Sequence, residues 1–136
     1  MPALRDMRGD HTVTLQVAAM ASATTDNEQL GFVVPFNAKV TAVKWVPSAA
    51  VTANGTNYSV LSVRNRKADA SGSALPATRS YAATNSSQFV PEDCTLSGTA
   101  SDLLVNAGDV LTVQMIHTAS GVVIPAGSVR ISYQAR

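Results

Sequence analysis

A chain of 136 residues with ten basic and nine acidic side chains carries a formal net charge of +1, which excludes a broad field that would steer it to nucleic acid or an anionic membrane. Its length suits one domain that buries about two thirds of the extended chain's surface, so neither a disulfide nor a metal staple is required. Only 14% of the residues are charged and 5% aromatic, well under the usual charged share of about a quarter; Ser, Thr and Asn fill the polar positions instead, as in sheets with one solvated face.

Residues 1–10 stand apart as an N-terminal arm in which Arg5, Asp6, Arg8 and Asp10 are spaced through Pro, Ala and Gly. On composition the arm is disordered when alone, and it is expected to be ordered by docking on another subunit or a larger assembly. It lacks the apolar run of a signal peptide, and no stretch of the chain approaches the roughly 20 apolar residues that cross a bilayer. Residues 11–136 read as the folded domain. From His11 to Met20, Thr12, Thr14 and Gln16 alternate with Val13, Leu15 and Val17, the period of a strand. Asp26-Asn27-Glu28 marks a loop, Gln29 to Pro35 a strand ending at proline, and Asn37 to Val46 another. There Val43 and Trp45 share one face, Val40 and Ala42 the other, and Trp45 is expected in the core.

Pro47 to Asn57 reads as a connection with a turn at Asn54-Gly55, Tyr58 to Arg64 as a strand, and Asn65 to Pro76 as a polar surface loop. Ala77 to Ala83 reads as a weak strand and Thr84 to Ser87 as a turn. Pro91 interrupts Gln88 to Leu96, which demotes that run to an edge or a bend. Leu103 to Tyr133 reads as three strands joined by two turns. Asn106-Ala107-Gly108-Asp109 suits a type II turn with Gly108 at positive φ, and Pro125-Ala126-Gly127 presets a second. Beyond it Val129, Ile131 and Tyr133 alternate with Ser128, Arg130, Ser132 and Gln134. About eight strands, no helix and long crossing loops predict an all-β fold, a single antiparallel β-sandwich of jelly-roll type rather than an up-and-down barrel.

Reactive chemistry is sparse. His11 and His117 are far apart and have no partner at metal-ligand spacing. Asp102 and Asp109 flank the turn at Asn106 to Gly108, but a calcium site wants more oxygen ligands than two carboxylates. Cys94 is the sole cysteine and reads as a small buried apolar residue. No nucleophile elbow, phosphate loop or dinucleotide fingerprint is present, so neither an enzyme nor a cofactor is expected. Arg64-Asn65-Arg66-Lys67 is the densest basic spot and lacks the interleaved aromatics that stack bases. Arg8-Gly9-Asp10 matches an integrin tripeptide but, in an unexposed or nonsecreted arm, is three common residues in a row, and Asn54, Asn57 and Asn85 head glycosylation sequons; without a secretory signal those asparagines serve as turn chemistry.

Val33-Val34-Pro35-Phe36-Asn37-Ala38-Lys39-Val40-Thr41-Ala42-Val43, Pro47-Ser48-Ala49-Ala50-Val51-Thr52 and the run from Leu96 to Leu111 resemble small tailed-phage virion proteins, the capsid-decorating or head-surface β-sandwiches. The likeness spans Gly31 to Tyr133 and rests on turn and strand patterns. It implies a structural protein, commonly a homotrimer, made in the host cytoplasm without a signal peptide and bound to the major capsid protein on the outer surface of the virion, with no nucleic acid or membrane partner. Beside it, the arm is expected to make the contact, with Leu4 and Met7 as apolar anchors, Arg5 and Arg8 pairing with acids on the shell, and Pro2 opening the gripping segment. The alternative is a carbohydrate- or host-binding module of a phage fibre, which would need exposed aromatics.

Overall fold

The computed structural model describes residues 9–136. The chain runs through β1 (His11–Val17), β2 (Asn27–Val33), β3 (Ala38–Pro47), β4 (Tyr58–Asn65), β5 (Ala74–Ser80), β6 (Glu92–Asp93), β7 (Thr95–Leu96), a short 3-10 turn (Ala100–Leu103), β8 (Leu104–Val105), β9 (Val110–Thr118) and β10 (Gly127–Ala135). All strand pairs among the described residues are antiparallel, and they are nested: β1 pairs β10, β2 pairs β9, β3 pairs β6 and β8, and β4 pairs β5. Wound into two sheets, ordered β1-β10-β3-β6 and β2-β9-β4-β5-β7, this nesting is a jelly roll. The fold expected from the sequence is the fold observed.

Among the described residues ten strands exceed the expected eight, because the chain after Pro91 is broken into two-residue pieces. β6 and β8 lie on β3 and β7 lies on β5, in the other sheet. The three C-terminal strands stand where expected but are not neighbours, since β8 joins β3, β9 lies between β2 and β4, and β10 lies between β1 and β3. The turn expected at Pro125-Ala126-Gly127 is absent. Gly127 already belongs to β10, opposite Val17 and Pro47, and the chain reverses earlier, where the Gly121 N–H donates to the Thr118 carbonyl at 3.0 Å. The segment between crosses from one sheet to the other and is drawn inward by fully buried Ile124. The Asn106 turn forms as expected: Gly108 has φ 88°, and the Asp109 N–H donates to Asn106 O at 3.0 Å.

Other strand bounds shift as well: β1 ends at Val17 rather than Met20, β2 at Val33 rather than Pro35, and β5 at Ser80 rather than Ala83. Asn27 and Glu28, expected in a loop, already pair with β9. β5 begins at Ala74 rather than Ala77 and contains Pro76, which is tolerated because the register with β4 slips there. In β3, too, the partner of Ser132 is Ala42 and that of Tyr133 is Val40, leaving Thr41 as the extra residue of a bulge. The bulge resets the alternation, so Ala38 and Val40 join Val43 and Trp45 on the buried face instead of pointing away.

The core lies between the sheets. Val40, Val43, Trp45, Val129 and Ile131 of one sheet are buried with Leu61, Val63, Leu111, Val113 and Met115 of the other. Removing each such aliphatic side chain from water stabilises the fold by about 1.5–3 kcal/mol. Trp45 is wholly buried, as its place in the strand pattern predicts.

Candidate interaction surface

Buried polar side chains hold the loop that joins β5 to β6 across one end of the sandwich. Trp45 Nε1 donates to the Tyr81 hydroxyl at 2.9 Å, the Tyr81 and Ser86 hydroxyls lie 2.8 Å apart, and Ser86 bonds to one oxygen of Glu92. The Tyr81 hydroxyl thus accepts from Trp45, and the single proton of Ser86 is shared between the Tyr81 hydroxyl and the Glu92 carboxylate, which links the three side chains into one network. Arg79 closes it from the other side. Its Nη2 pairs with Glu92 Oε2 at 2.9 Å, its Cζ sits 4.1 Å from the centre of the Tyr81 ring, and it donates to the carbonyls of Thr84 at 3.0 Å and Asn85 at 3.3 Å. Burial raises the pKa of the Tyr81 hydroxyl above its ordinary value, which favours its neutral form.

The loop is also fastened from above. Val51 and Ser86 exchange backbone hydrogen bonds at 2.9 and 3.1 Å, and Asn85 Oδ1 accepts from the Ala53 N–H at 2.8 Å. At the tip the Phe89 N–H donates to Pro47 O at 2.9 Å and Gln88 Nε2 donates to Ser48 O at 3.1 Å. On this frame Phe89 stands 67% exposed at φ 62°, a left-handed conformation that costs a bulky residue about 1–3 kcal/mol. Val90 beside it is exposed as well. The chain thus holds an apolar prong outward against its own backbone preference.

Beside the prong lies the outer face of the β1-β10-β3 sheet. Thr14, Arg130, Lys44 and Asp93 form one cross-strand row, in which Lys44 Nζ pairs with Asp93 at 2.7 Å. A shallow hollow of about 250 Å³ is lined by Thr14, Lys44, Val46, Pro91, Ser128 and Arg130.

A second, wider groove of about 500 Å³ lies over β2 and β9, walled by the loop after β4 and lined by Glu28, Leu30, Arg66, Ala70, Val110 and others. Glu28 forms an ion pair with Arg66 and accepts from Thr112 Oγ1 at 2.6 Å. The Arg66 hydrogen bond, more than any other influence, draws the Glu28 carboxyl down to about 2. Lys67 and Ala70 in the wall have φ of 63° and 65°, and Leu30 on the strand edge is 87% exposed.

The residues that sequence reasoning favoured for contact, Pro2, Leu4, Arg5, Met7 and Arg8, lie outside the described residues. The described chain begins where the arm leaves the domain: Asp10 accepts from Gln134 Nε2 at 2.7 Å, and His11 stacks on Tyr133 with 5.5 Å between ring centres. His117, on the other sheet, bonds to Asp26 at 2.6 Å through Nδ1, which holds the Asp26 carboxyl below its usual range. Asp102 accepts from Ser97 Oγ at 2.6 Å, and Asp109 accepts from Asn65 Nδ2 at 3.0 Å and the Asn106 N–H at 2.9 Å, so both carboxylates are engaged in fixing turns. Among the described residues no three His, Cys, Asp or Glu side chains converge as a metal set. Cys94 is buried, and burial pushes its thiol up to about 12.

The three sequon asparagines do serve the backbone. Asn54 Oδ1 accepts from Thr56 and Asn57 N–H, Asn57 Oδ1 from Ser120 N–H, and Asn85 as above. The basic run after Val63 is largely absorbed by local structure, since Arg64 Nε donates to Gly72 O at 3.2 Å and Arg66 is matched by Glu28. The sequence did not single out Phe89, Val90, Lys44 or Arg130. The available signal was Phe89-Val90 directly before Pro91, an apolar pair in a segment too interrupted to be a core strand. No protein family, curated protein or solved structure matches the chain.

Proposed function

We propose that the protein is a structural virion component that decorates and stabilises a phage capsid by binding the major capsid protein on its outer surface. One observation carries the reading. The large apolar side chains most open to solvent among the described residues, Leu30, Val33 and Phe89, stand on a strand edge and a loop tip of a two-sheet body, while its buried polar side chains serve internal fastening. Such a body binds and holds. Grouping several copies in a homotrimer multiplies modest contacts without a large interface per copy, and Pro2, Leu4, Arg5, Met7 and Arg8 supply the gripping arm. Deleting residues 1–10 is expected to leave a folded domain that no longer cosediments with particles; unchanged cosedimentation rejects the arm, and failure of the full chain to bind rejects the reading. A sugar-binding fibre module has less support, because Trp45 and Tyr81 are wholly buried and Tyr133 is nearly so, leaving few rings to stack on a sugar face. A glycan array separates the two.

A further inference from the structure

Like charges directly opposite each other across two strands destabilise a sheet, yet Arg130 of β10 faces Lys44 of β3 in register. Asp93 relieves only Lys44. Among the described residues the Arg130 side chain has no hydrogen bond or ion pair, and it is exposed at the rim of the 250 Å³ hollow with Thr14 and Ser128. A carboxylate placed there would relieve the repulsion and accept two parallel N–H bonds from the guanidinium. Pro91 closes one side of the hollow, and two residues earlier Phe89 projects from a backbone bonded to Pro47, the neighbour of the hollow's Val46. An aromatic anchor and an arginine, both on a frame already ordered, are the residue types that dominate protein interfaces, and their rigidity lowers the entropy lost on contact.

We propose that the outer face of β1, β10 and β3, with the Phe89-Val90 prong, is a docking surface for an acidic protein segment: Arg130 and Lys44 take its carboxylates, and Phe89 takes an apolar side chain between them. Two cations fall short of the four to eight that hold a protein on anionic lipid, and a single exposed ring offers no run of stacking platforms for a nucleic acid strand. The surface includes no arm residue and does not depend on the particle, so it stands apart from the capsid reading.

The test titrates the full-length, ¹⁵N-labelled protein with a peptide alternating Glu and Leu, with its Lys and Leu counterpart, and with phosphatidylglycerol vesicles. The acidic peptide alone is expected to shift the amides of Thr14, Lys44, Phe89, Val90, Ser128 and Arg130, and to bind at least tenfold more weakly to Arg130→Gln and to Phe89→Asn, in which asparagine keeps the left-handed backbone. Arg130 is exposed, so its variant decides the matter even if the Phe89 variant loses its fold. Equal binding of the basic peptide, binding to vesicles only, no shift at these amides, or full affinity in Arg130→Gln overturns the proposal. A failed titration beside intact particle binding rejects this surface and leaves the capsid reading in place.

Discussion

Arg79 and Glu92 are the side chains on which the loop end of the molecule depends. Both are largely shielded from water, and the guanidinium is satisfied by a carboxylate, two loop carbonyls and an aromatic face. Removing one partner leaves the other buried and unpaired, which costs about 3–5 kcal/mol, whereas replacing both with apolar groups of similar size costs far less. Glu92→Leu is therefore expected to lower the urea midpoint strongly, and Arg79→Met with Glu92→Leu to recover most of the loss; equal midpoints for the single and double variants would count against the pairing. Glu28 makes a different prediction, in pH. Its carboxyl titrates at about 2 rather than its ordinary 4.5, so its ionised form is favoured by folding. The stability it supplies is fully present above pH 4.5 and is lost as pH falls towards 2. Melting temperatures taken across that window are expected to fall less steeply in Glu28→Gln than in the native protein, with the two profiles parallel above it.

At the scale of elements, alternation exposed the strands and their faces, while the irregularities remained hidden. The start and faces of β1 could be read, because Val13, Leu15 and Val17 keep strict alternation with three polar residues and no bulge intervenes, although the strand ends at Val17 rather than at the expected Met20. β3 could not, because the bulge at Thr41 is set by its partner β10, and nothing local in Lys39-Val40-Thr41-Ala42 marks the slip. The docking surface was hidden for a related reason: Thr14, Arg130, Lys44 and Asp93 come from four strands, and only the register between them makes a row. The Asn106 turn was legible because Gly108 needs no distant partner to take positive φ. β2 shows what close approach adds. The register with β9 slips between Leu30 and Phe32, and a Cβ on Gly31 would run into the backbone carbonyl of Leu111 and crowd Leu15. Backbone cannot swing aside as a flexible side chain can, so Gly31→Ala is expected to cost about 1–3 kcal/mol. Hydrogen exchange should show the loss concentrated in the amides that β2 shares with β9, and undiminished protection there contradicts the close packing.

At the scale of the whole molecule, the nested pairing makes the strand nearest the C-terminus the most consequential. β10 lies between β1 and β3, and residue 11 meets residue 133 only after nearly the entire chain has been placed. Closing such distant contacts carries its entropy cost before most of the core is buried, so refolding is expected on the order of milliseconds to seconds, as for other sheet proteins dominated by non-local pairs. The two ends of the domain differ sharply in consequence. Of the described residues, loss of 1–10 takes only Gly9 and Asp10, with the side-chain hydrogen bond between Asp10 and Gln134, and no strand of the described domain. Truncation after Thr118 removes the central strand of one sheet, unpairs β1 altogether, and takes Ile124, Val129 and Ile131 from the core. The first truncation is expected to keep the native circular-dichroism spectrum and a cooperative melt, and the second to abolish both. A cooperative melt surviving without β10 would mean that the β2-β9-β4-β5 sheet folds alone, and the interdependence of the two sheets on which this rigid body rests would have to be abandoned.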